Sequence, residues 1–139
     1  MRRYIPSWDA IGIKKDRYLE LLHFARQYPE WRTEAASLIG THGVKLDGMP
    51  HGSGVGDPVA SVAERRAGLL EKIDTVERCA RSVKGGEWYA ALIQNVCMGR
   101  PFEAIDQTII PTASRNAFFK ARKEFFLALH EERDKQDNF

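Results

Sequence analysis

Between Pro58 and Lys84, Val62, Leu69, Ile73, Val76, Ala80 and Val83 recur at intervals of three and four, interrupted only at Arg66. That spacing lines one side of an α-helix. It does not suit a strand, whose apolar side chains alternate. A stripe this long must be covered, either by an antiparallel segment of the same chain or by a second copy across a dimer seam. Both ends carry helix punctuation. Asp57 is a strong N-cap, Pro58 suits the first helical position, and Gly85-Gly86 closes the helix.

The segments on either side have the same character. A helical period begins at Lys14, with Tyr18, Leu21, Leu22, Ala25 and Tyr28 on one face. Pro29 marks a boundary, because the residue before a proline avoids the α region. Trp31, Ala35, Leu38 and Ile39 line a second short helix. Residues 40–56 break the pattern, and a further helix over 87–98 buries Trp88, Ala91, Leu92 and Val96. A short helix is expected over 102–107, a turn at Thr108-Ile109-Ile110-Pro111, and a last helix from about Thr112 to about Arg133. No strand pattern, internal repeat or low-complexity tract competes. The reading is an all-α protein: an N-terminal helical hairpin (1–40), a Gly-rich connecting loop (41–57), then a long helix and a C-terminal helix-turn-helix (58–139).

Composition narrows the function. The 139 residues are 43% hydrophobic and 29% charged, with a formal charge of +2, as expected of a globular chain. No run approaches the ~20 apolar residues needed to span a bilayer, and the first residues, MRRYIPSWDAIGIKKD, hold no signal-peptide core. The expectation is a cytoplasmic protein, in a host bacterium, that does not engage membranes. Cys79 and Cys97 sit inside apolar helical patterns and read as small buried hydrophobes.

"GMPHGSGVGDP", residues 48–58, holds four glycines and two prolines. It resembles a phosphate loop but lacks Gly-Lys-Ser/Thr and follows a helix rather than a strand. It reads as a joint between two helical parts. His23, His42, His51 and His130 show no metal-ligand spacing with each other or with the cysteines. His42 and His51, with Asp47 and Asp57, read as a solvated loop. Ser53 lacks the context of a nucleophile elbow. No constellation supports catalysis, so no enzymatic step, cofactor or metal is expected.

The C-terminal unit carries the informative charge pattern. On the last helix, Phe118, Ala121, Phe125, Ala128 and Leu129 gather on one side. Asn116, Lys120 and Lys123 lie opposite, with Arg115 and Arg122 on a flank. From Thr112 to Lys123 there are four basic residues and no acidic one; beyond lie Glu124, Glu131 and Glu132. The first half of a recognition helix enters the major groove, where Asn pairs with adenine and Arg or Lys with guanine. Thr112 or Ser114 would hold a phosphate or cap the helix. Arg115, Asn116 and Lys120 are the candidates for base contacts.

YPEW, then GMPHGSGVGDP before a long helix, then IPTASRNAFFKARKEFF resemble the ArpU/RinA-like late-gene transcriptional regulators of phages and prophages. The resemblance runs from about Lys14 to Leu129. It implies a DNA-binding part like the fourth region of sigma factors, with Ser114, Arg115, Asn116, Phe119, Lys120 and Arg122 in the recognition helix and Lys123 beside them. Val59 stands where the family commonly has Thr, and DQTIIPTA is longer and more apolar than a tight sigma-type turn. Double-stranded DNA is the expected partner; RNA polymerase and a second copy of the chain are further candidates. Two alternatives use the same features: a DNA-packaging protein like a terminase small subunit, and an interaction module that acts on the transcription machinery without touching DNA.

Overall fold

A computed structural model of the protein describes residues 12–44 and 58–137. The N-terminal arm, most of the Gly-rich stretch with its Asp57 cap, and the last two residues lie outside the described residues, as do the side chains of His42 and Ile39. The described residues are all-α and contain no strand. The main helices are α1 (Lys15–Arg26), α2 (Tyr28–Val44), α3 (Pro58–Ser82), α4 (Tyr89–Leu92) and α5 (Arg115–Asp137).

The stripe on α3 is covered within the chain. Leu69, Ile73, Val76, Ala80 and Val83 are all buried. Along its first part α3 runs antiparallel to α2: Arg65 pairs with Glu34 at 2.6 Å, Lys72 stands over the Trp31 ring at 5.6 Å, and the Tyr28 hydroxyl donates to Glu77 Oε2 at 2.5 Å. Further on it runs antiparallel to α5. Gln136 Nε2 donates to the buried Thr75 hydroxyl at 3.0 Å, Arg78 pairs with Glu132 at 2.7 Å, and Lys84 reaches Glu124 at 3.7 Å. Helix α1 lies over α5, with Tyr18 on Phe126 at 4.8 Å and Arg133 over the Phe24 ring at 4.2 Å.

One continuous core joins all these elements. Most of the sequence-read inner faces are buried, including Trp31, Trp88 and both cysteines, while Leu22, Leu38, Val62 and Ala128 are half-buried. Phe24 joins them at 8% exposure, although the α1 stripe does not include it. Phe118 sits at the centre of an aromatic group, stacked on Phe102 at 4.8 Å and flanked by Trp88 at 5.8 Å and Phe119 at 5.1 Å. This group fixes where α5 begins.

Five boundaries before the last helix differ from the sequence reading. The break before α2 falls at Gln27, and Pro29 lies in the first turn of α2, where a missing N–H is harmless. Helix α2 continues to Val44, into the span expected to break, because Gly40 and Gly43 weaken a helix without forbidding it. Helix α3 ends at Ser82, where a 3-10 turn (Val83–Gly86) takes over. Lys84, Gly85 and Gly86 all adopt positive φ there, a conformation that glycine tolerates best. The helix expected over 87–98 is only α4, which widens into a π-turn over Ile93–Cys97.

The last difference bears on function. The helix expected over 102–107 is two 3-10 turns, Phe102–Ala104 and Gln107–Ile109. The Asp106 carboxylate accepts from the Thr108 N–H and hydroxyl, both at 2.9 Å, and draws the backbone away from helical continuation. The first helix of the expected helix-turn-helix is therefore not formed at 102–107. The long connection from Met98 to Ser114 lies between the π-turn and α5.

Candidate nucleic-acid interface

Helix α5 begins at Arg115, three residues later than expected, and continues to Asp137. Ser114 caps it: its Oγ accepts the Ala117 N–H at 3.2 Å, and Thr112 Oγ1 accepts the Ser114 N–H at 3.3 Å. Both residues are exposed at the positive end of the helix dipole, and the first turn contains no acid.

The eight sequence-predicted residues separate into groups. Asn116, Lys120 and Lys123 are exposed on the outer face of α5, and none has a hydrogen bond or ion pair among the described residues. Their helical spacing places them side by side. Arg115 lies at the edge of this face, ion-paired with Glu103 and over the Phe119 ring at 5.6 Å. Phe119 is half-buried and packs edge-on against Phe118.

Arg122 faces the other way. Its Nε donates to Asn95 Oδ1 at 3.0 Å, and its guanidinium lies 4.9 Å from the Phe126 ring and 5.7 Å from Tyr18. It links α5 to α1 and the π-turn instead of belonging to the outer face. The outer face therefore comprises Asn116, Lys120 and Lys123, with Arg115 held beside it by a carboxylate and Thr112 and Ser114 at its N-terminal end.

Elsewhere the chemistry is structural. Burial pushes the Cys79 thiol up to about 11 and the Cys97 thiol up to about 12, so both are protonated and unreactive at neutral pH. His130 Nδ1 accepts from Arg17 Nε at 3.0 Å. Among the described residues no group of three or more His, Cys, Asp and Glu side chains is placed to hold a metal. A shallow groove between α2 and α3 is floored by Trp31, Gly68 and Leu69 and rimmed by charges of both signs. No helix among the described residues is long and apolar enough to cross a membrane. No family model, curated protein or solved structure matches the chain.

Proposed function

We propose that the protein binds double-stranded DNA through the outer face of the first half of α5, and that it acts in transcriptional control in a phage or prophage. The observation that carries the binding reading is the unpaired trio Asn116, Lys120 and Lys123. It stands on one face of a helix whose opposite face is locked in the core by Phe118, Ala121, Phe125 and Leu129. Elsewhere on the surface Arg65, Arg78 and Arg81 are matched with carboxylates, whereas Arg26, Arg32 and Arg100 are not. The regulatory role follows from the resemblance of the Gly-rich and C-terminal motifs.

An α-helix of ordinary diameter fits the major groove. With α5 seated there, Asn116 pairs with an adenine edge, and Lys120 and Lys123 reach guanine edges or flanking phosphates. Arg115 adds a further contact once it exchanges Glu103 for the DNA. Unlike a compact helix-turn-helix, this recognition helix is positioned by the aromatic group around Phe118 and by the packing of α5 on α1 and α3.

The test is the salt dependence of duplex binding. Each phosphate contact contributes about 0.9 to the slope of log K against log salt. Lys120→Ala combined with Lys123→Ala is expected to lower the slope by up to about 1.8. An unchanged slope and affinity would remove α5 from the interface.

A further inference from the structure

Five of the described arginines, Arg17, Arg65, Arg78, Arg81 and Arg115, pair with carboxylates. Three others are held differently, and all three converge on consecutive residues of the π-turn after α4. Arg100 Nη1 donates to Gln94 Oε1 at 3.4 Å, Arg122 Nε to Asn95 Oδ1 at 3.0 Å, and Arg26 Nε to the Val96 carbonyl at 2.6 Å. They come from α1, from the connection before α5, and from α5 itself.

The backbone explains the convergence. In the widened turn the Met98 N–H donates to Ile93 O at 3.1 Å and the Arg100 N–H reaches back to Gln94 O at 3.0 Å. The Val96 carbonyl is thereby left for Arg26. Asn95 also donates through Nδ2 to the Arg100 carbonyl at 2.8 Å, tying the loop to the turn. Gly99, with φ +75°, turns the chain beside the Arg26 guanidinium; a β-carbon there would meet Arg26 Nη1 at an ordinary contact distance of 3.5 Å, so the glycine serves the backbone turn.

Each neutral acceptor engages one edge of a guanidinium and cancels no charge, although the Arg122 guanidinium also lies over the Phe126 and Tyr18 rings. The other donors of all three arginines have no partner among the described residues, and the terminal nitrogens of Arg122 are not buried. Guanidinium does not lose its proton, so three of them around one turn attract an anion strongly. Their forked donors suit phosphate oxygens.

We propose that Arg26, Arg100 and Arg122 form a second anion site that holds a phosphodiester of the DNA backbone while the outer face of α5 lies in the groove. The proposal rests on the DNA-binding reading above. It assigns Arg122 to the backbone rather than to bases, and it brings in Arg26 and Arg100, whose distance from α5 in sequence hides their role.

The test uses the full chain and a random-sequence duplex, followed by fluorescence anisotropy across about 50–200 mM salt. Arg100→Gln is the informative variant, since its only side-chain bond is the 3.4 Å contact to Gln94 and its thermal melt should match the parent. It is expected to lower the salt slope by about 0.9 and to weaken binding about five-fold near 0.15 M salt. Asn95→Asp, which gives Arg122 a carboxylate, is expected to weaken binding as well. Arg32→Gln, an exposed arginine of α2 without a carboxylate partner, is the control and should bind like the parent. If Arg100→Gln matches Arg32→Gln while the Lys120 and Lys123 variants lose affinity, the anion site is wrong and the α5 face stands. If Arg100→Gln weakens binding and those variants do not, the anion site stands and the α5 face is wrong. If the parent binds no duplex at the lowest salt, both are overturned.

Discussion

Arg122→Ala is expected to unfold the protein more readily, a role that its place among the recognition-helix candidates does not suggest. The side chain makes one charge-assisted hydrogen bond, to Asn95 Oδ1 at 3.0 Å, and lies over two rings, at 4.9 Å and 5.7 Å. A hydrogen bond to a charged group contributes about 1.5–3 kcal/mol; because Arg122 is only half-buried, the lower end applies. Each ring contact adds about 0.5 kcal/mol at a site that water reaches. The expected loss is about 2–3 kcal/mol. Arg122→Lys keeps the charge and the stem but not the Nε contact, and should lose about half as much. Urea unfolding followed by circular dichroism measures both, with Lys120→Ala as an exposed, unpaired comparison expected within about 0.5 kcal/mol of the parent. Arg122→Ala falling as close to the parent as Lys120→Ala would refute the structural placing of Arg122.

Three more outcomes are expected. Ser114→Ala removes the α5 cap and should cost about 1 kcal/mol in the same urea experiment, while Ser114→Asp, which can still cap, should retain most of the stability. Burial raises both thiol pKa values, so their contribution to stability is fully present below the unfolded thiol value near 8.5 and is lost as pH rises through about 11 for Cys79 and about 12 for Cys97. Stability measured from pH 8 upward should therefore fall, and fall less in Cys97→Ala than in the parent after normalising at pH 7. Glu103→Gln releases Arg115 and should tighten duplex binding; in an Arg115→Ala background the gain should largely disappear, and a gain of the same size there would mean that Glu103 acts only as a general negative charge.

Much of the fold is legible because it rests on local spacing. The stripe from Leu69 to Val83 and the apolar side of α5 are apparent at helical period, and the Gly85-Gly86 stop follows from the freedom of glycine at positive φ. The choice of partner for the α3 stripe is not local; α2 and α5 share it within the chain. Phe24 escapes a single-stripe reading because Trp31 packs against its ring and Arg133 lies over it. The π-turn was not legible because the partners of Asn95 and Val96 lie 27 and 70 residues away. The missing helix at 102–107 follows from a local signal, the Asp106–Thr108 bonds, that the apolar residues Phe102 and Ile105 disguise.

At the candidate site, residue type and helical phase place Asn116, Lys120 and Lys123 on one face of the last helix, and all three are exposed there. The same phasing put Arg122 on the flank of the helix, but only its contacts with Asn95, Tyr18 and Phe126 show which way it turns. Likewise the sequence contains both Arg115 and Glu103 but gives no sign that they pair across the connection before α5.

Whether the outer face of α5 reads DNA sequence, as proposed, is measured most directly by a specificity ratio. Duplexes selected from a random pool by the full chain would be compared with competitor DNA at one salt concentration. The expected ratio is at least about 10³ in favour of the selected site, reduced by about ten-fold or more in Asn116→Ala with little change in binding to competitor. Selected and competitor duplexes binding equally, or a ratio that Asn116→Ala leaves intact, would contradict the proposal.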